Sequence, residues 1–184
     1  MQNKKPKIIC ISALARHGKD EFAKIAIEYL NKNYPQLKVQ RLAHGDWVKD
    51  VCHRYFGCTY VRDGYNRTQW QQVGTEKGRH NHPDIWVNMT IDLVKGIFND
   101  YDYIFISDVR FKNEVERWED EGFDILTIRI NRNNFDNGLT EEQKNHASET
   151  SLDDYDFGYY VNNDSNLEMY KCKVIEFIEN ELLL

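Results

Sequence analysis

The segment from residue 7 to residue 33 places the strongest constraint on the fold. Lys7 to Ser12 is a short, mostly β-branched run between polar residues, which predicts a buried strand. Lys19 to Asn33 carries apolar residues at helical spacing, and Pro35 ends this helix. A short loop ending in Gly18-Lys19 joins the two elements. This order of strand, glycine-containing loop and helix predicts an α/β fold.

The rest of the chain continues the alternation. Further strands are predicted at 37–43, 103–107, 124–130 and 159–161, and further helices at 46–55, 68–77, 84–98, 113–121 and 167–184. Asp46 is expected to cap its helix, and Gly57 and Gly122 are expected to end theirs. Strands that alternate with helices of this length predict a mainly parallel sheet with helices on both faces, in three layers.

Residues 131–158 interrupt this pattern. They are rich in Asn, Asp, Ser and Glu and have few periodic apolar positions, apart from a partly helical stretch at 140–146. Long loops in compact domains are commonly lids, binding loops or disordered segments. We predict a lid insertion here, within a single domain that spans residues 1–184.

Composition and charge exclude several classes of protein. With 184 residues, 41% hydrophobic and 29% charged, the chain is typical of a folded soluble domain. The net charge of -6 argues against a general nucleic-acid binder. The longest nearly apolar run, Ile8 to Ala15, is far shorter than a membrane span. Four cysteines without paired spacing indicate a reducing cytosol.

The loop after the first strand is a modified phosphate-binding loop. The P-loop pattern is Gly, four residues, Gly-Lys and Ser or Thr, between a strand and a helix. Here Ala13 replaces the first glycine and Asp20 replaces the hydroxyl residue. Backbone N–H groups at the start of a helix can hold phosphate oxygens, and Lys19 adds a positive charge. The nucleotide-binding candidates are Ala13, Ala15, Arg16, His17, Gly18, Lys19, Asp20 and Glu21. An ordinary strand–turn–helix is the alternative.

Two acidic residues are candidate Mg²⁺ ligands. Asp20 can hold the ion directly or through water, since carboxylate oxygen suits it. Asp108 ends the apolar strand at 103–107, where a P-loop enzyme places its second acidic residue near the metal. The alternative role for Asp108 is to cap the helix that follows.

Several segments together resemble phage deoxynucleoside monophosphate kinases, which belong to the P-loop nucleotide kinase superfamily. Arg16-x-Gly18-Lys19-Asp20 is similar to the phosphate loop of that family, in which Gly-Lys-Asp replaces Gly-Lys-Ser/Thr. Segments 42–50, 72–79 with 84–88, 107–114, 146–149 and 161–164 are similar to further family motifs, in the same order. The chain departs from the family pattern at Ala13, Glu21, His44-Gly45 and Trp47.

The resemblance implies a P-loop NTPase-like fold that transfers a phosphoryl group from ATP to a deoxynucleoside monophosphate with Mg²⁺. Its core would be 7–43, 101–130 and 159–184, with an acceptor region at about 44–100 and the lid at about 131–158. Such chemistry needs cations around the moving group and a lid that excludes water. The catalytic candidates are Lys19, Arg16, Asp108, Arg110 and Arg132.

The acceptor nucleotide needs its own contacts. Lys49 and Arg79 could bind its phosphate, although either could equally be a solvated helix residue. Gln72, Trp86 and Asn88 could contact its base, and core packing is an equal alternative for Trp86. Asp46 completes the candidates, because it lies in the segment that resembles the family motif after the second strand.

Two other functions stay open. The Gly-Lys-Asp variant also occurs in phosphomevalonate kinase of the animal type, whose acceptor is not a nucleotide. Ala13 and Glu21 also suit a nucleotide-binding relative without catalytic activity. The resemblance implies small-molecule nucleotide partners, no nucleic acid or membrane partner, a cytoplasmic location (host cytoplasm for a phage protein), and allows a homodimer.

Overall fold

The computed structural model describes residues 5–183, so the predicted end of the last helix at residue 184 lies outside the described residues. Its sheet has five strands: β1 (Lys7–Ala13), β2 (Val39–Leu42), β3 (Tyr103–Ile106), β4 (Ile125–Asn131) and β5 (Tyr159–Asn162). They lie in the order β2-β3-β1-β4-β5, and every neighbouring pair is parallel. The predicted parallel sheet is confirmed.

Helices connect these strands. They are α1 (Lys19–Asn33), α2 (His44–Phe56), α3 (Gly64–Gln71), α4 (Ile85–Ile97), α5 (Asn113–Asp120), α6 (Glu141–Lys144), α7 (Ala147–Thr150) and α8 (Leu167–Glu181). A π-helical segment, Gln72–Arg79, continues α3 without a break. As predicted, α1 spans 19–33, and Gly57 ends α2 with a positive φ of 66°.

The central strand β1 separates two apolar layers. Its side chains alternate, so that Ile9 and Ile11 face a core cluster that includes α1 and α8. Ile8 and Cys10 face the opposite cluster, to which α4 and α5 contribute. Helices cover both faces of the sheet, and the central strands β1 and β3 are accordingly almost continuously hydrophobic, so the predicted three-layer arrangement is confirmed.

A third, smaller apolar cluster lies within the helical chain segment that connects β2 to β3. It consists of the buried side chains of Val48, Cys52, Cys58, Val73 and Trp86. This cluster packs α2, the π-helical segment and α4 against one another, and it holds their polar faces beside the carboxyl ends of the strands. Ligands of open α/β sheets bind at that edge.

Two predicted helix starts are wrong. Asp46 does not cap α2, because that helix begins at His44 and its N-cap residue, Ala43, has no side-chain hydrogen bond. The helix predicted at 68–77 begins four residues earlier, where the Asp63 side chain accepts a hydrogen bond from the Asn66 amide. Asp63 is therefore an N-cap within a stretch whose composition resembles a loop.

The insertion between β4 and β5 contains the two short helices α6 and α7. Thr140 begins α6 with a capping box that it forms with Gln143, which confirms the predicted helical stretch. Across residues 5–183, every helix is too short or too polar to cross a membrane.

Candidate active site

The loop between β1 and α1 has the backbone conformation that a phosphate-binding loop requires. Gly18, the N-cap residue of α1, has a φ of 102°, and Arg16 has a φ of 64°. Both values lie in the left-handed region, where glycine is favoured. Ala13 is the last, buried residue of β1, and its extended conformation does not require a glycine. The first N–H groups of α1 have no intrahelical acceptor and so remain available to an anion.

Two side chains from the segment after β5 and from α8 hold this loop in place. Asn163 Nδ2 donates to the carbonyl of His17 at 3.1 Å, and Tyr170 Oη donates to the carbonyl of Gly18 at 3.1 Å. A Cβ at Gly18 would lie 2.6 Å from Asn163 Nδ2, so the loop and the Asn163 side chain leave no room for a larger residue. Glu21, in the first turn of α1, lies near Tyr170 and contributes with burial to a raised pKa of that phenol.

Lys19 is a buried cation, with only 7% of its surface exposed. Burial and the neighbouring charge of Arg110 lower the pKa of this ammonium, whereas Asp20 and Asp108 oppose the shift. Its nearest carboxylate oxygen is Asp20 Oδ2, at 3.7 Å from Nζ. A phosphate group beside Lys19 would supply the negative charge that this environment favours.

Asp20 forms a hydrogen-bonded pair with Ser107 at the end of β3. Ser107 Oγ donates to Asp20 Oδ1 at 3.2 Å and accepts from Arg41 Nε at 2.8 Å. In the P-loop pattern the loop supplies a hydroxyl, and the far strand supplies a carboxylate near the metal. Here the two groups are exchanged, with the carboxylate on the loop and the hydroxyl on the strand.

Asp108 lies next to this pair, but both of its oxygens already accept hydrogen bonds. The amides of His44 and Gly45, at the start of α2, each donate to one oxygen at 2.8 Å. Burial alone would raise the pKa of this carboxyl, but His44, the Gly45 amide and Arg110 together keep it below its usual value. Asp108 therefore caps α2, and not the helix that follows it in the chain.

A cavity of 530 Å³ lies beside the loop, between the strand ends and the apolar cluster around Trp86. It is lined by nine of the predicted site residues: Ala15, Lys19, Asp20, Asp46, Lys49, Arg79, Trp86, Asp108 and Arg110. Gln72 and Asn88 do not line it; Gln71 does, and Asn88 accepts a hydrogen bond from Arg117 instead. Trp86 is 3% exposed and donates from Nε1 to the Gly74 carbonyl, so it has a packing role as well.

Seven basic and six acidic side chains line this cavity, and the sequence analysis missed several of the basic ones. Arg41, Arg62 and Arg67 line it together with the predicted cations. In the described part of the chain, Arg62 and Arg67 make no side-chain hydrogen bond and no ion pair. Burial and the charge of Arg62 lower the pKa of Arg67. Lys49, in contrast, pairs with Asp46 at 2.6 Å, and Asp46 also accepts from Arg41.

The segments that resemble family motifs meet through one chain of contacts. Arg79 pairs with Glu114, which is 1% exposed, and its guanidinium lies 4.3 Å from the centroid of the Phe111 ring. The other oxygen of Glu114 accepts from the Arg110 amide at 2.6 Å. The Arg110 side chain then donates to Glu149 Oε1 at 2.6 Å, and Glu149 Oε2 accepts from the Ala15 amide at 2.9 Å. Residues distant in sequence thus converge at the loop.

A second cavity, of 710 Å³, opens on the insertion side of the loop. His17 and Arg132 line it, and the Arg132 guanidinium lies 3.8 Å from the centroid of the Phe135 ring. The Arg132 amide donates to His17 Nδ1 at 3.1 Å. Burial, Arg129 and Arg132 lower the pKa of His17, which favours a neutral imidazole with its proton on Nε2.

The metal candidates fit Mg²⁺ only as part of a nucleotide complex. Within residues 5–183 no group of three or more His, Cys, Asp or Glu side chains is arranged to hold a metal ion. Mg²⁺ in kinases is usually bound by one or two carboxylates and by substrate phosphates. The exposed Asp20 carboxylate and the Ser107 hydroxyl meet that requirement, whereas the amides on Asp108 limit its oxygens to a supporting role.

Comparison with known proteins shows the fold. The chain is 11% identical to the APS kinase CysC of Mycobacterium tuberculosis in complex with AMPPNP and APS, with a TM-score of 0.53 over 96% of this chain and 99% of that chain. It is 10% identical to Kti12 of Chaetomium thermophilum in complex with ADP-AlF3, with a TM-score of 0.53 over 95% and 98%. It is 18% identical to APE1195, with a TM-score of 0.55 over 96% of this chain and 96% of that chain.

No protein-family model matches the sequence, and neither does any curated protein. The likeness to solved structures therefore shows the fold, a P-loop NTPase-like α/β arrangement with a five-stranded parallel sheet.

Proposed function

We propose that this protein transfers the γ-phosphoryl group of ATP to deoxynucleoside monophosphates. The observation that carries the proposal is the meeting of five separate motifs at one cavity. The phosphate loop and the segments 42–50, 72–79, 107–114 and 146–149 all contribute to its lining. Its 530 Å³ lie within the range of about 300–1,000 Å³ that is usual for small-molecule sites.

The donor nucleotide would bind at the loop. Backbone amides at the start of α1 and the Lys19 ammonium would hold its phosphate oxygens, and Asp20 with Ser107 would hold Mg²⁺. When bound, this ion neutralises charge on the β- and γ-phosphates. Arg132 and His17 line the second cavity, and in this proposal they would contact the remainder of the donor.

The acceptor would bind in the cavity lined by arginines. Arg67 and Arg62 have no carboxylate partner there, so a phosphate dianion would meet two free guanidinium groups. An oxygen of that phosphate attacks the γ-phosphorus, the bond to the β–γ bridging oxygen breaks, and ADP leaves. The attacking oxygen is already ionised near neutral pH, so the step needs no general base. Arg110, between loop and acceptor, would stabilise the charge on the transferring group.

Several further features stay predictions. These are the Mg²⁺ requirement, the homodimer, the cytoplasmic location and the absence of nucleic-acid partners.

A coupled assay of ADP release tests the proposal over all deoxynucleoside and ribonucleoside monophosphates. We expect turnover with at least one deoxynucleotide, and a loss of at least about a thousandfold in Lys19→Met, since a cation on the transferring phosphoryl group is removed. The exposed Lys24→Met of α1 is the matched control, with an expected rate equal to the wild type. No turnover with any monophosphate by folded protein would refute the proposal. Thermal stabilisation by ATP without turnover would favour the non-catalytic relative, and stabilisation by mevalonate phosphate would favour the alternative kinase.

A further inference from the structure

Glu149 forms a buried contact between the insertion and the phosphate loop. It lies on the four-residue helix α7 and is 9% exposed. One carboxylate oxygen accepts from the Ala15 amide of the loop, and the other accepts from the Arg110 guanidinium. Arg110 also donates to the Ser148 carbonyl at 3.1 Å, which ties the same arginine to the backbone of α7. The carboxylate thus binds a loop amide and an arginine, which are the kinds of donor that bind a phosphoryl group.

Glu149 lies at the boundary between the two cavities. Among the described residues it alone lines both the arginine-rich cavity and the cavity beside His17 and Arg132. Three further basic groups, His17, Arg67 and Arg129, interact electrostatically with its carboxylate. One negative charge therefore lies at the junction of two sites, among basic groups on both sides.

We infer that Glu149 is a positioning residue whose carboxylate competes with the terminal phosphate of the donor for Arg110 and the Ala15 amide. Binding of a triphosphate displaces the carboxylate, and Arg110 is then free to bind the transferring group. This inference rests on the proposed function, because it assigns Arg110 to the transferring phosphoryl group. The competition itself involves only Glu149 and the donor, so it can be measured without an acceptor nucleotide.

Two physical reasons favour displacement over joint occupancy. A carboxylate and a phosphate at neighbouring positions repel each other, and burial strengthens that repulsion because solvent screens it less. The helix α7 is a single short turn, and its cap is local, since His146 Nδ1 accepts from the Ser148 amide at 3.2 Å. No residue of α7 belongs to either core cluster, and the chain is fixed again at Leu152, which is buried in the cluster with α4 and α5, so the movement can be confined to α7.

Calorimetric binding of ATP, ADP and tripolyphosphate to Glu149→Gln tests the competition. We expect the variant to bind ATP and tripolyphosphate about tenfold or more tightly than the wild type, because the repulsion is removed. ADP, without the third phosphate, should change by less than about threefold. Glu142→Gln, an exposed glutamate of the same insertion, is the matched control and should change neither affinity. Glu149→Asp, which retains the charge on a shorter side chain, takes the place of Glu149→Gln if that variant does not fold. Its affinity for ATP and tripolyphosphate should be moderately higher than that of the wild type.

Hydrogen exchange of residues 146–151 in the wild type reports the displacement directly. We expect ATP to speed exchange of these amides, and ADP to leave it unchanged. Equal or weaker ATP binding by Glu149→Gln, slower exchange with ATP, or no binding of ATP and tripolyphosphate by any of the proteins would overturn the inference. A failure of deoxynucleotide turnover alone refutes the proposed function but leaves these binding results unaffected.

Discussion

Arg67 lies in an environment that disfavours its positive charge. Its guanidinium is half-buried and lies in the electrostatic field of Arg62, Arg110 and Arg16, with Glu149 as the opposing charge. A cation in such a place is unfavourable for the folded protein unless an anion binds there. Strained or repulsive groups of this kind are common where a ligand completes the site.

We therefore expect Arg67→Gln to weaken acceptor binding without destabilising the fold. Hydrogen bonds to charged groups contribute about 1.5–3 kcal/mol, so the KM for the monophosphate should rise about 10- to 100-fold, while the KM for ATP stays unchanged. The free energy of unfolding in urea should be equal to or higher than that of the wild type. Arg54→Gln, an exposed arginine of α2 that does not line the cavity, is the control and should change neither quantity. A fall in stability with an unchanged KM would show that Arg67 is structural.

The sequence reveals the loop residues but not this arginine. Gly18, Lys19 and Asp20 are recognisable because a local pattern of strand, loop and helix specifies their role. Arg67 lies in a polar stretch without such a pattern, and its position depends on the tertiary packing of α3. The sequence signal for the start of this helix is Asp63, an N-cap residue whose side chain accepts from the Asn66 amide. It predicts that Arg67 lies on a helix, but not that its side chain reaches the cavity.

At the scale of elements, the π-helical segment contributes Gly74, Thr75 and Arg79 to the lining of the 530 Å³ cavity. Widening of the helix over 72–79 lets two glycines approach neighbouring helices closely. A Cβ at Gly74 would lie 3.2 Å from Val48 Cγ1, and one at Gly78 would lie 2.8 Å from Trp86 Cζ2 and 2.7 Å from the Val73 carbonyl oxygen. Side-chain periodicity predicts the presence of a helix here, but it does not distinguish a π-helix from an α-helix.

Gly78→Ala should therefore destabilise the protein by about 1–3 kcal/mol, because the added methyl group overlaps with Trp86 and a backbone carbonyl. Gly96 of α4 provides the control, since a Cβ there would meet nothing within 4 Å. Gly96→Ala should stabilise the protein by about 0.5–1 kcal/mol, through the higher helix propensity of alanine. Urea unfolding monitored by circular dichroism measures both changes. Equal effects of the two substitutions would mean that the π-helical segment has room for a methyl group at residue 78.

At the scale of the molecule, the Asp108 carboxylate joins the sheet to α2. Asp108 follows β3, and its oxygens accept from the first two amides of α2. The sequence predicts the strand end and the helix separately, because each depends on local residues. Their contact spans more than sixty residues and follows only from the parallel sheet order, in which β2 and β3 are neighbours.

Asp108→Asn tests this connection through the pH dependence of stability. At pH 7 we expect the variant to be less stable by about 1–2 kcal/mol, since a carboxylate at a helix N-terminus is lost and the amide N–H₂ group meets a backbone N–H. The pKa of Asp108 is lowered in the folded state, below its ordinary value of 3.8. Its stabilising contribution is therefore fully present above that value and is lost as the pH falls through the folded-state pKa.

The difference in unfolding free energy between wild type and Asp108→Asn should thus be constant from pH 7 to about pH 5 and should shrink by pH 3. Urea titrations at these three pH values measure it. Asp92→Asn, an exposed aspartate of α4, should show no difference from the wild type at pH 7. A difference for Asp108→Asn that is as large at pH 3 as at pH 7 would mean that the ionised carboxylate does not hold α2. The Arg41–Asp46 ion pair and the packing of α2 against α4 would then hold α2 at the sheet.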